Sequence, residues 1–329
     1  MTKLSLANSL KPLLLVPAIA SCGDAASPQQ ASFDSTETQL VVLLDEHDFP
    51  YHDVAAADGR LYFAHGPRGV DVVAAGTFEL IETLSFTRDR EVLTEAESGV
   101  ASAPGQLRIV AQGVQLDGED LIVWGVRDDN PPDPWGHGPY EPDKLVVQSL
   151  TSDHQLEWRL SLVMPSSMWV PSLDVVVGAQ SVHVSVGHSD WGNQLLTFDR
   201  PADGSEVYLD LFEGANVLPL ADLYPQGLSS VGEALLLSAG RDGLFALQHD
   251  GTSKAIGDCE ALGYVVDAAV DGERVYVADH QTGIHVVSLA DGELRATLVA
   301  PDFIHGIALM DDAAYASTTT GVFVTPITP

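Results

Sequence analysis

The stretch AADGRLYFAHGPRGVDVVAA, Ala56 to Ala75, returns far downstream as VDGERVYVADHQTGIHVVSL, Val270 to Leu289. In both, Tyr-x-Ala (Tyr62, Tyr276) is followed seven residues after the Tyr by Gly (Gly69, Gly283), then by Val-Val. A chain that says the same thing twice is using one supersecondary unit more than once. The unit has a readable grammar. An apolar run meets an Asp-Gly turn (Asp58-Gly59, Asp271-Gly272), and an alternating strand follows (Leu61 to Ala64, Val275 to Ala278). A polar loop closes on the Gly, a third strand follows, and a second turn leads to a fourth (Glu79 to Phe86, Glu293 to Val299). Asp-Gly between alternating runs is a strong hairpin signal. Four antiparallel strands per unit describe a β-propeller blade.

Weaker copies extend the series. Six anchor positions, Tyr62, Ile122, His183, Leu236, Tyr276 and Tyr315, are spaced 60, 61, 53, 40 and 39 residues apart. The last two spacings fit a blade of about 40 residues. The earlier ones carry insertions, Thr87 to Gly105 and Arg127 to Lys144. The final unit supplies three strands, whereas an unused strand, Gln39 to Leu44, precedes the first. Pairing that strand onto the last blade closes the ring and hides both edges. The expectation is an all-β, six-bladed propeller; five or seven blades would require a misread insertion. The pattern demands no helix longer than one or two turns.

The third-strand segments Gly69-Val70-Asp71-Val72-Val73, Gly243-Leu244-Phe245-Ala246-Leu247, Gly283-Ile284-His285-Val286-Val287 and Gly321-Val322-Phe323-Val324 resemble the motif strand of the LVIVD-repeat propellers of bacterial secreted and lipid-anchored proteins. The Asp that usually closes the family's strand is replaced here by Ala74, Ser288 or Thr325. The resemblance implies the fold and an exported location. It brings no catalytic residues.

The N-terminus reads as an export signal. Lys3 and Lys11 precede a short apolar core, Leu13 to Ala20, too short to span a bilayer. Ile19-Ala20-Ser21-Cys22-Gly23 resembles a bacterial lipobox, which implies cleavage before Cys22 and a diacylglyceryl thioether on it. An ordinary secretory signal cut near Ser21 is the alternative. The expected organisation is a signal peptide over 1–21, a polar tether over 22–38 and the propeller over 39–329. The protein is then held by lipid in the bacterial cell envelope, at the outer membrane or cell surface. A lipidated Cys22 cannot pair with Cys259, the one other cysteine, so Cys259 is expected as a small buried hydrophobe.

Charge narrows the partners. Fifteen Lys and Arg against 47 Asp and Glu give a net charge of −32, which repels nucleic acid. On a propeller, the starts of the inner strands and the loops between second and third strands gather on one face. Mapped there, His52, Asp53 and His305 lie nearest the axis and are the candidate ligands of a divalent cation. His65, Arg127, Asp128, His188, Arg241, Asp279 and His280 surround them. The insertion Arg127 to Lys144 adds Trp135, His137 and Tyr140 on a proline-stiffened loop, and Trp191 falls nearby. Trp124 and Trp158 sit within strands and read as core. The reading is a scaffold that binds a protein, peptide or glycan at this face. The alternative is a metal-dependent, lactonase-like hydrolase with its site at the channel mouth. Loops on a propeller converge by geometry alone, so polar residues there are not by themselves a catalytic site.

Overall fold

A computed structural model describes residues 38–44, 48–86, 92–94, 108–128, 144–163, 172–187, 192–232, 234–248 and 252–327. The signal segment, Cys22 and nearly all of the tether lie outside these residues. The chain forms six small antiparallel sheets, one after another, arranged as a six-bladed β-propeller. Strand β1 (Gln39–Val42) comes first and belongs to the last blade. Blade 1 holds β2 (Asp53–Ala57), β3 (Arg60–Ala64), β4 (Val70–Ala74), β5 (Leu80–Phe86) and β6 (Val92–Thr94). Blade 2 holds β7 (Arg108–Asp117), β8 (Asp120–Asp128), β9 (Lys144–Leu150) and β10 (Leu156–Val163). Blade 3 holds β11 (Ser172–Val177), β12 (Ser181–Gly187), β13 (Gln194–Asp199) and β15 (Asn216–Pro219). Between the last two, β14 (Glu206–Asp210) leaves its own blade and pairs parallel with β10, strapping blades 2 and 3 together.

Blade 4 holds β16 (Gly227–Val231), β17 (Ala234–Ser238), β18 (Leu244–Leu247) and β19 (Ser253–Ile256). A single helical turn, α1 (Cys259–Leu262), follows, with Asp258 capping the N–H of Glu260. Blade 5 holds β20 (Val265–Asp271), β21 (Arg274–Asp279), β22 (Gly283–Ser288) and β23 (Leu294–Val299). Blade 6 holds β24 (Ile304–Met310), β25 (Ala313–Thr318) and β26 (Gly321–Pro326), and β1 completes it, Gln39 opposite Val324 and Val42 opposite Gly321. The ring therefore closes as the leftover strand predicts.

The core is divided into six wedges. Each apolar cluster spans one blade interface, for example Trp158 and Leu160 against Val184 and Leu196 between blades 2 and 3. Tyr51 and Phe63 pack on Met310 and Tyr315 between blades 6 and 1. Both faces of every blade are thus buried, which is why the third strands read as continuous apolar runs rather than as alternation. Trp124 and Trp158 are buried, as their strand positions suggest.

The repeated Gly has a geometric cause. Gly69 and Gly283 start their third strands at φ +103° and +137°, and a Cβ there would collide with the carbonyl of Leu84 or Leu298 on the fourth strand. At Gly321 the carbonyl in the way is that of Val41 on β1, so the closing strand occupies the place of a fourth strand.

Part of the first insertion, Thr87 to Gly105, supplies β6, paired to β5. One expectation needs correction. Cys259 is only partly buried, at the start of α1.

Deleting Gln39 to Val42 should destabilise the whole domain. It removes four paired residues and uncovers the edge of β26. Loss of the apolar burial of Leu40 and Val41, together with the ring's closure, should cost about 3–6 kcal/mol, lowering the melting temperature by roughly 10 °C. An unchanged melt would show that the seal carries no stability.

Candidate functional site at the channel mouth

The innermost strands β2, β7, β11, β16, β20 and β24 line an axial channel of about 750 Å³. At its mouth stand His52, Gln112, Leu173, Gln226, Val266 and His305, one from each blade. Three of these are the extra residue of a β-bulge. The pairing skips Gln112 between Ala111 and Gly113, Val266 between Val265 and Asp267, and His305 between Ile304 and Gly306. A bulge re-aims one side chain without ending the strand.

One residue below the mouth lies the feature that organises the channel. Reading round the ring, the six inner strands carry Asp53, Gly113, Asp174, Gly227, Asp267 and Gly306, so Asp and Gly alternate. Each Asp bridges two blades. Asp53 accepts the N–H of Val54 (2.8 Å) and of Val114 on blade 2 (2.9 Å). Asp174 accepts those of Val175 (2.8 Å) and of Leu228 on blade 4 (2.5 Å). Asp267 accepts those of Ala268 (2.7 Å) and of Ile307 on blade 6 (2.9 Å). The glycines make room for the next blade: a Cβ on Gly306 would strike Asp53, and one on Gly227 would strike the carbonyl of Val266. At Gly113 the space is filled by Trp124, which also hydrogen-bonds Asp174.

Burial raises the pKa of all three carboxyls despite these hydrogen bonds. Asp174 rises to about 8 and Asp267 to about 7, and Asp53 also stands well above the usual carboxylate range. Repulsion adds to burial: Asp267 acts on Asp174, and both act on Asp53. None of the described residues lining the channel is Lys, Arg, Glu or Asn.

The mouth is flanked by an aromatic sector on blades 5, 6 and 1. The His280 ring stacks on Phe303 at 5.0 Å and lies 5.3 Å from His305, with the Tyr264 ring at 6.2 Å. The Nδ1–H of His280 donates to the Ile304 carbonyl (2.8 Å), fixing that ring. Burial, then the neighbouring His280 and His52, lowers the pKa of His305 to about 4, and burial also lowers that of His52. Both are neutral at pH 7. Eight large apolar side chains stand exposed among the described residues, and four of them lie at this end of the propeller: Phe49 (55%), Phe303 (50%), Val42 (65%) and Val299 (71%). Val42 and Val299 pair with Gly321 and Gly283, the mouth-side starts of two third strands.

The predicted site residues divide accordingly. His52, Asp53 and His305 do come together across the ring closure. Both oxygens of Asp53 nevertheless accept backbone N–H groups, and among the described residues no group of three His, Cys, Asp or Glu is placed to hold a metal ion. His280 belongs to the face, and Arg241 is exposed. His65 and Asp279 do not offer themselves to a ligand: both are buried. His65 Nδ1 is 2.6 Å from Asp71, which also accepts from Thr83, whereas Asp279 pairs with His285. These are equivalent positions in blades 1 and 5 with His and Asp exchanged, and they pin the loop to the third strand. Arg127 and Asp128 end β8, but their side chains, with Trp135, His137, Tyr140, His188 and Trp191, lie outside what is described. Asp174 is the residue that loop mapping misses. The signal is present: nine residues before every anchor stands an Asp or a Gly, in alternation.

No family model matches the chain, and no curated protein matches it. Among solved structures it is similar to a protein of unknown function from Bacteroides caccae, at 10% identity and a TM-score of 0.52, over 80% of this chain and 88% of that one. It also matches the computationally designed Ika8 protein at 12% identity and a TM-score of 0.45, over 86% of this chain and 98% of that one. The first likeness concerns the fold alone.

The carboxylate ring should make stability depend on pH. Asp174 and Asp267 have folded pKa values of about 8 and about 7, above the unfolded 3.8, so they favour the folded state most below about pH 4 and progressively less up to the folded values. His305, lowered from 6.5 to about 4, acts oppositely between those two values and not above 6.5. Between pH 6.5 and 8, stability should therefore fall by about 1.4 kcal/mol per pH unit for each carboxyl still titrating. Melts across that window should show this slope, and Asp174→Asn should flatten it while lowering the melting temperature throughout. An unchanged slope in the variant would show that Asp174 does not titrate there.

Proposed function

We propose that the protein is an exported binding module whose channel-mouth face engages a protein, peptide or glycan. The observation that carries this reading is the clustering of exposed apolar side chains. Phe303 stacks on His280 in the array that also holds His305 and Tyr264, and Phe49, Val42 and Val299 are exposed at the same end of the propeller. Exposed apolar side chains beside a concave opening are what a recognition site presents. The propeller gives it a rigid frame, so little ordering entropy is lost on binding.

A photo-crosslinking residue placed at Phe303 should capture partners in cells, whereas one at Leu80, which is equally exposed but at the start of β5, should not. Equal capture from both sites would remove the face-specific reading.

Attachment to a membrane through Cys22 is part of the same proposal, supported by the order of charge, apolar core, small residues and Cys at the N-terminus. A thioether at Cys22 and a disulfide from Cys22 to Cys259 exclude each other. Intact-mass analysis should find a diacylglyceryl adduct on a chain starting at Cys22, and Cys22→Ser should move the protein from the membrane to the soluble fraction. A chain without the adduct, or a variant that stays with the membrane, would overturn the anchor.

A further inference from the structure

The binding face makes two demands on whatever occupies it, and together they narrow the occupant; this step rests on the binding reading above. On blades 5, 6 and 1 the rim is largely aromatic: Phe49, Phe303 and Tyr264, beside the imidazoles of His52 and His305. The channel beneath is lined by carboxyls. Asp53, Asp174 and Asp267 sit at one level on alternate blades, roughly a third of a turn apart, and the channel lining described here contains no basic side chain to balance them. Below them Ser229 also lines the channel, and its Oγ is buried with no hydrogen-bond partner among the described residues.

Each carboxylate oxygen accepts one backbone N–H, and Asp174 also accepts from Trp124, which leaves each carboxylate capacity for a further donor. A bare ion would need its oxygen ligands within about 2.6 Å, and no such group is present among the described residues. A guanidinium is a flat fork suited to one carboxylate. An ammonium carries three N–H donors with three-fold symmetry on a slim apolar stem. Leu173 and Val266 at the mouth give that stem an apolar wall. The chain's net charge of −32 would draw a basic partner toward the protein.

We propose that this face docks a lysine-bearing segment of a partner protein, with the lysine ammonium entering the channel toward Asp53, Asp174 and Asp267 and the flanking apolar residues packing on Phe49, Phe303 and Tyr264.

Trp124 lines the channel and hydrogen-bonds Asp174, so its indole N–H is a built-in reporter. The test titrates the full chain with the peptide acetyl-Gly-Phe-Lys-Phe-Gly-amide and with its Nε-acetyl-lysine form, following the Trp124 indole signal by NMR. The lysine peptide should move that signal and bind at least roughly tenfold more tightly than the acetylated one, since acetylation removes the charge that the ring would pair. Phe303→Ser, a change at an exposed site, should weaken the lysine peptide. Asp174→Asn should weaken it further, with a melt confirming that the variant is folded. Equal binding of the two peptides, lost in Phe303→Ser, would overturn the ammonium inference and leave the binding face standing. No response of Trp124 to either peptide at millimolar concentration would also overturn it, and the crosslinks from Phe303 would then decide the broader reading on their own.

Discussion

Every blade of a propeller ends at the axis in an open strand edge, and six rows of backbone N–H groups converge there with no strand left to pair them. In this protein three carboxylates resolve one full level of that problem. Asp53, Asp174 and Asp267 take the N–H of Val54, Val114, Val175, Leu228, Ala268 and Ile307, one from each of the six inner strands. Unsatisfied buried donors are costly, so this is a structural requirement met by side chains. Gln115 serves the next level in the same way, exchanging both amide bonds with the backbone of Val177. The wedges of apolar side chains hold neighbouring blades face to face, and these polar clips fix their inner edges.

The same solution sets the chemistry of the channel. Carboxylates chosen as acceptors for backbone donors bring charge into an enclosed space, and burial raises their pKa toward neutrality. At the mouth the imidazoles move the other way and lose their charge. The outcome is a rim that is neutral and aromatic over a throat that is acidic and proton-hungry.

Much of this was legible in the residues and some was not. The repeat, the blade count and the closure by Gln39 to Val42 follow from turn chemistry and strand length, which are local. The His52, His280 and His305 grouping follows from where loops gather. What loop mapping could not supply was depth. His65 and Asp279 occupy loop positions but turn inward to partners on the third strand, because a buried His and Asp satisfy each other there. Asp53 looked like a metal ligand because an acid beside a His suggests one, and its oxygens instead clip two blades together by accepting an N–H from each. Asp174 carries no suggestive neighbour, and only comparison across all six units reveals it.

The alternation of Asp and Gly has one more consequence. Each carboxylate reaches forward to a blade that has Gly at the matching level, and Gly227 and Gly306 leave room for the blade after them, whereas Gly113 makes room for Trp124. A ring with an odd number of blades would have to set two carboxylates, or two glycines, side by side at one junction. The first brings like charges together, and the second leaves one N–H group without an acceptor. The true building block is thus a pair of blades used three times, and lengths of five or seven are frustrated by parity. Adding or removing a single blade would break the alternation, whereas adding or removing a couplet would keep it.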